Sequence, residues 1–209
     1  FSAAYIPSSP ALYQGRVYFG AYDSTFYCLD AGTGERIWNT TMGSDVHSSP
    51  SVSQDRVLVG CNDGLLYCLN RNNGSIIWNL DLGPDPLESS PVISGDRIAV
   101  TYTHGLVVVS LDEGGILHSF LLGNSAEVSP SVNSGRILFG DNDGYLRCVG
   151  LADQGDDDAY EIGKEDDTPR DLLFMVIGSL ILLTVIILVF FRRYKKIREK
   201  NREHPGQPP

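Results

Sequence analysis

Four times between Ser9 and Gly150 the chain repeats one plan, and that repetition leaves few folds open. Ser9-Pro10, Ser49-Pro50, Ser90-Pro91 and Ser129-Pro130 open the units, with prolines 40, 41 and 39 residues apart. A period near 40 residues marks a repeat architecture, in which each unit buries its apolar face only against the next. Within a unit, short apolar runs alternate with Gly or Asp turns, as in Arg16-Val17-Tyr18-Phe19-Gly20, Thr25-Phe26-Tyr27-Cys28-Leu29 and Arg36-Ile37-Trp38.

The runs are too short for ordinary helices and rich in β-branched and aromatic residues, as half-buried strands are. Asn62-Asp63-Gly64 and Asn142-Asp143-Gly144 supply residues that tolerate positive φ between consecutive runs, and Asn73-Gly74 and Thr33-Gly34 do so for the next hairpin. Pro10, Pro50, Pro91 and Pro130 stand where each first strand begins, where a missing N–H does least harm, and the apolar runs themselves hold no proline. Several short strands per unit of about 40 residues predict an all-β fold of β-propeller blades.

Leu29-Asp30-Ala31-Gly32-Thr33-Gly34-Glu35-Arg36-Ile37-Trp38 resembles the tryptophan-docking motif of the pyrroloquinoline-quinone (PQQ) type, quinoprotein-like β-propellers, and Leu69 to Trp78 repeats it with Asn70 for Asp. The resemblance implies structural docking roles for Trp38, Trp78, Gly34 and Gly74, each tryptophan packing against a neighbouring blade. The third unit departs from the motif, with Asp112-Glu113-Gly114-Gly115 read as one residue short and His118 in the tryptophan position. The fourth unit stops at Cys148-Val149-Gly150, so its last blade is expected to be incomplete. The resembling family usually has more blades, and the chain opens at Phe1 directly into a unit. The expectation is therefore about four repeats of a larger ring, residues 1–151, with an N-terminal segment of a longer precursor completing the last blade; a four-bladed ring and two assembled half-rings are alternatives. Such repeats serve enzymes, scaffolds and sensors alike, so the fold does not choose a function.

Residues 172–191 carry no charge and are long enough, as a helix, to cross a hydrocarbon core of about 30 Å, which predicts a transmembrane helix. The tail 192–209 has seven Lys or Arg against Glu199 and Glu203, whereas residues 1–171 hold all the excess acid of a chain with net charge -10. The Lys/Arg bias predicts a cytoplasmic tail and an extracellular or lumenal propeller on a single-pass membrane protein, with the lipid bilayer as one partner. The acidic stretch 152–171 reads as a disordered stalk. An acidic ectodomain also argues against nucleic acid, because nothing there neutralises phosphates.

No catalytic, cofactor-binding or metal-binding residues are assigned. His47, His104, His118 and His204 fall in different columns of the repeat or in the tail, and no two cysteines are adjacent. The resemblance implies that a quinone site needs an adjacent cysteine pair, Ca²⁺ and a catalytic aspartate, so no cofactor is expected. Cys28, Cys68 and Cys148 share one column in three blades, which predicts buried thiols rather than disulfides. Asp141-Asn142-Asp143-Gly144 begins like a calcium loop but reads as a hairpin turn. Arg16, Arg56, Arg97 and Arg136 recur just before the second run of each unit, and they read either as solvated edge charges or as a rim for an acidic partner. Asn39-Thr40-Thr41 and Asn73-Gly74-Ser75 are N-glycosylation sequons at Asn39 and Asn73. The reading is a membrane-anchored propeller that binds a protein or ligand; the alternative is an anchored quinoprotein oxidoreductase whose site lies in missing N-terminal blades.

Overall fold

The computed structural model describes residues 1–122, 126–150 and 160–162. The predicted transmembrane helix, the basic tail and most of the acidic stretch lie outside the described residues, and none of the described elements is a helix long and apolar enough to cross a membrane. The array is all-β: four sheets, each of four antiparallel strands paired in chain order. Blade 1 comprises β1 (Ala11–Tyr13), β2 (Arg16–Ala21), β3 (Thr25–Asp30) and β4 (Arg36–Thr41). Blade 2 holds β5 (Ser51–Val52), β6 (Arg56–Gly60), β7 (Leu65–Asn70) and β8 (Ile76–Asp81). Blade 3 follows with β9 (Val92–Ser94), β10 (Arg97–Tyr102), β11 (Gly105–Ser110) and β12 (Ile116–Leu121). Blade 4 has β13 (Ser131–Asn133), β14 (Arg136–Gly140), β15 (Leu146–Gly150) and β16 (Tyr160–Ile162).

The short first strands β1, β5, β9 and β13 neighbour one another in that order and form the inner edge. The central two strands of each blade are apolar on both sides, because each blade is sandwiched between neighbours. Blades 1 and 2 meet through Tyr18, Phe26 and Trp38 against Val57, Val59, Tyr67 and Leu69. Blades 2 and 3 meet through Leu58, Leu66 and Cys68 against Ile98, Val100, Val107 and Val109. Ala99, Leu106 and Val108 then pack on Ile137, Phe139 and Val149. Each blade thus has a leading face, turned to the blade before it, and a trailing face, turned to the blade after.

Two expectations are corrected. The fourth blade does not lack its outer strand: Tyr160–Ile162, inside the predicted stalk, pairs with β15 in the register Cys148↔Tyr160 and Leu146↔Ile162. The first residues of this chain lie on the leading face of blade 1, where the Phe1 ring sits 5.0 Å from that of Tyr27 and Tyr22 N donates to Tyr5 O. The third docking turn is also not short. Gly114 N donates to Ser110 O as Gly34 N does to Asp30 O and Gly74 N to Asn70 O, with the same bulge one step earlier in each strand. The residue missing from the 39-residue spacing is in the β10–β11 hairpin, where Tyr102 pairs with Gly105; in blade 1 Ala21 pairs with Thr25, one residue further on.

The recurrent Ser-Pro step has a geometric cause that the sequence did not show. Ser9 N donates to Ser49 Oγ at 2.9 Å, Ser49 N to Ser90 Oγ at 3.0 Å and Ser90 N to Ser129 Oγ at 2.9 Å, so one relay stitches four blades. Beneath it the buried Ser48 hydroxyl accepts from Gly60 N and donates to Ser89 O, and Thr101 Oγ1 donates to Val128 O. Backbone groups near the inner edge are satisfied by hydroxyls because no ladder reaches them.

Candidate binding face

Antiparallel pairing in chain order puts the β2–β3 hairpin of each blade and the loop to the next blade on one side of the array, the crossover side. The β1–β2 and β3–β4 turns fall on the other, the turn side. The loops confirm the assignment: Val46 N donates to Ala21 O, Asn62 N to Asp45 O and Leu87 N to Cys61 O.

On the turn side, among the described residues, Arg16, Arg36, Arg56, Arg71, Arg97 and Arg136 face an equal number of carboxylates. The arginine column read from the sequence is in register, each residue opening the second strand of its blade. Its first members reach across blade boundaries: Arg16 donates to Arg71 O at 3.1 Å, and Arg56 pairs with Asp55 at 2.9 Å and lies 3.7 Å from Asp112 of blade 3. Arg97 lies 3.9 Å from Asp96, and Arg136 is exposed. Arg16 and Arg56 therefore serve blade interfaces, and Arg56 and Arg97 each have a carboxylate beside them.

The crossover side is different. Blade 1 and its following loop place Asp23 and Asp45 there, blade 2 and its loop Asp63, Asp81, Asp85 and Glu88, and the last two units Glu127, Asp141 and Asp143. Among the described residues, Arg147 alone opposes them, and it is bound to Asp141, with Nε 2.7 Å from Oδ2. The Asp141 carboxylate also accepts from Asp143 N and Tyr145 N, so this loop is a closed hairpin turn as its sequence predicts. Burial would push its acid strength down, but those amide bonds and Arg147 outweigh burial and hold the carboxyl below the usual range. Tyr27 and Tyr67 donate to Asp23 and Asp63 at 2.8 and 2.7 Å, anchoring both carboxylates; burial, then the carboxylate, push both phenols up.

Aromatic rings lie among these acids. Tyr5 and Tyr22 are exposed and meet edge to face at 5.0 Å; Tyr22 stacks on His47 at 4.7 Å, and His47 Nδ1 is 3.2 Å from Glu88. This combination of exposed rings and carboxylates escaped the sequence reading, because its members come from the N-terminal segment, a hairpin and two loops. Only the topology shows that they share a side.

Trp38, Trp78 and Gly74 take part in contacts between blades, whereas a Cβ at Gly34 would meet nothing within 4 Å. Trp38 Nε1 donates to Arg71 O and Trp78 Nε1 to Leu111 O, each in the next blade. A Cβ at Gly74 would lie 2.5 Å from the Trp38 ring, and one at Gly114 2.6 Å from that of Trp78, so only glycine admits the indole. His118 occupies the tryptophan column, paired with Val108, and is exposed. The four cysteines are free and buried. Burial pushes Cys61 up to about 11 and Cys68 to about 12, which makes them structural thiols. Asn39 and Asn73 are exposed on the outer rim, where Thr40 Oγ1 bonds Gly74 O and brings the two sequons side by side.

Solved structures share this fold. BamB from Moraxella catarrhalis matches with TM-score 0.63 at 17% identity, over 71% of this chain and 47% of that one. The computationally designed Ika4 protein matches with TM-score 0.65 at 16% identity, over 73% of this chain and 94% of that one. Quinohemoprotein alcohol dehydrogenase from Comamonas testosteroni matches with TM-score 0.63 at 14% identity, over 71% of this chain and 34% of that one. The chain thus spans about half of BamB and a third of the dehydrogenase, and at these identities the likeness is one of fold. No curated protein matches by sequence. Residues 4–161 match the PQQ-repeat family described as outer membrane protein assembly factor BamB, and since they are well over half of the sequence, the chain belongs to that family.

Proposed function

We propose that this chain is a binding module, held at a membrane by residues 172–191, whose crossover side engages a basic protein segment. The observation that carries the reading is the charge segregation: arginines and carboxylates balance on the turn side, while the crossover side is acidic and carries the exposed Tyr5 and Tyr22 rings. Carboxylates attract Lys and Arg at long range, and tyrosine faces hold cations at short range. This moves the proposed contact from the arginine column, of which Arg16 and Arg56 serve blade interfaces, to the opposite side. The family description, an assembly factor, is compatible with such a scaffold.

The test uses the full chain in detergent micelles and a synthetic Arg/Lys-rich peptide as probe. Asp23→Asn, Asp85→Asn and Glu88→Gln together are expected to slow association and flatten its salt dependence, with Tyr22→Ala adding a faster release. Binding unchanged by the triple variant overturns the assignment of this side. Anchoring is tested separately: protease added outside sealed vesicles should cut before residue 172 and leave a tag after Pro209 intact.

A further inference from the structure

On the turn side, the boundary between blades 1 and 2 and that between blades 2 and 3 share one backbone plan but differ in charge. Trp38 Nε1 and Trp78 Nε1 bond the carbonyls of Arg71 and Leu111, whose amides donate to Asp55 O and Asp96 O, so these two residues are counterparts. Arg16 and Arg56 are counterparts as well, each opening a second strand, and Tyr18 opposite Cys28 matches Leu58 opposite Cys68. At the second boundary one arginine meets two carboxylates, Asp55 at 2.9 Å and Asp112 at 3.7 Å, above a leucine. At the first, two arginines meet above a phenol. Arg71 reaches back over blade 1, its Cζ 5.1 Å from the centre of the Tyr13 ring and its Nη1 donating to Gln14 Oε1 at 2.8 Å, while Arg16 Nη1 donates to Arg71 O. Asp30, in register with Arg16, accepts instead from Gly32 N and Thr33 N, and among the described residues no carboxylate pairs with either guanidinium. Beneath them Tyr18 is 0% exposed, and neither its hydroxyl nor the buried Arg71 Nε has a hydrogen-bond partner among the described residues. Arg56 Nε is unpartnered too, but there the two carboxylates meet the charge.

We propose that the turn-side mouth of the first boundary binds a small anion of chloride size, held between the Arg16 and Arg71 guanidiniums with Tyr18 Oη and Arg71 Nε as donors. The anion takes the part that Asp55 and Asp112 play one boundary further on, and so ties blade 1 to blade 2. A buried donor without an acceptor is costly, and hydrogen bonds to a charged partner are the strong ones. Burial and the Cys28 thiol push the Tyr18 phenol up while Arg71 and Arg16 pull against them, so the hydroxyl keeps its proton to donate and stands within the field of both cations. Size follows from depth. The hydroxyl is covered by the surrounding chain, so its acceptor is a single atom that takes hydrogen bonds from any direction rather than a tetrahedral oxyanion. The site lies on the trailing face of blade 1 and is independent of the acidic crossover side.

The test uses the full chain in non-ionic detergent micelles with chloride itself as probe, read by the protein-dependent broadening of the ³⁵Cl resonance. The wild type should broaden the line saturably, and bromide should reverse the effect where sulfate does not. Arg71→Leu, which copies the residue that blade 3 carries at this position, should abolish it. Tyr18→Phe keeps the ring and removes one donor, and should weaken binding about tenfold or more, the loss of one hydrogen bond to a charge. Arg136→Gln, at an exposed member of the same column, should leave the broadening as it is. As a second measurement, the wild type should melt higher in chloride than in gluconate at equal ionic strength, and Arg71→Leu should melt alike in both. No saturable broadening in the wild type, broadening that survives Arg71→Leu or is indifferent to Tyr18→Phe, sulfate competing as well as bromide, or wild-type melting indifferent to chloride overturns the inference.

Discussion

The indole Nε1 of Trp38 donates to the carbonyl of Arg71 at 3.0 Å, and the same ring fills the space where Gly74 has no side chain. One residue of blade 1 thus reads both the path and the composition of a turn in blade 2. Trp38→Ala should cost about 3–5 kcal/mol, the range for emptying a buried aromatic site. His118→Ala, in the same column but exposed, should stay within about 0.5 kcal/mol, as surface changes do. Denaturant melts of both variants decide; equal small effects would show that the indole does not hold the blades together.

The glycines of the same column give a sharper comparison, because Gly34 and Gly74 share φ near +72° and +74° and differ only in what lies above them. Gly34→Ala should cost about 1–2 kcal/mol, the strain of a left-handed conformation alone. Gly74→Ala adds a clash with the indole and should cost clearly more. Equal losses in thermal melts would mean that backbone conformation, and not the ring, requires glycine there.

The strands of this fold were legible in the sequence because each is written locally, as a short β-branched run between turn residues. What escaped was non-local. Tyr160-Glu161-Ile162 lies within an acidic stretch and becomes a strand only because the edge of β15 offers it a ladder. The missing residue of the third unit was assigned to the docking turn, since Asp112-Glu113-Gly114-Gly115 looks unlike its counterparts; pairing of Tyr102 with Gly105 puts it in the preceding hairpin. The arginine column was visible as a spacing, but its partners, Arg71 O and Asp112, belong to the following blades. The acidic side could not be read at all until the topology assigned each loop to an edge.

The serine relay predicts unequal costs along one motif. Ser48 Oγ is buried, accepts from Gly60 N and donates to Ser89 O, so Ser48→Ala leaves two buried backbone groups unmatched. The expected loss is about 1–3 kcal/mol per stranded group, against near zero for Ser9→Ala, whose side chain is exposed at the edge of the array. Hydrogen exchange at the Gly60 amide should accelerate in the first variant, and an unchanged rate would show that water replaces the hydroxyl at no cost.

The carboxyl of Asp141 supplies a pH test local to blade 4. Its burial would raise the pKa, but the amides of Tyr145 and Asp143 and the Arg147 guanidinium outweigh that and lower it in the folded protein. A group with a depressed folded pKa stabilises fully above its unfolded value, about 3.9 for Asp, and loses that contribution as pH falls through the folded value. Exchange protection of residues 136–150 should therefore fall below about pH 4 ahead of that in blade 2. Arg147→Met, which leaves the carboxylate buried beside an apolar chain, should move this loss to higher pH. Identical pH profiles for the two proteins would show that the amides alone set the acidity of Asp141.

Thiol chemistry gives the last prediction. Cys61 and Cys68 are 0% exposed, burial pushes them up to about 11 and 12, and Cys61 Sγ is further engaged, 3.3 Å from Ser44 O. The thiolate is the reacting species, and at neutral pH almost none exists at either site. Cys28 is likewise buried and pushed up by the same cause. Iodoacetamide at neutral pH should therefore leave all three unmodified in the native array and alkylate them only after denaturation, with electrophoretic mobility the same with and without reductant. Labelling at Cys61 in the native protein, read by mass spectrometry, would mean that the blade 1 to blade 2 interface opens on the timescale of the reaction.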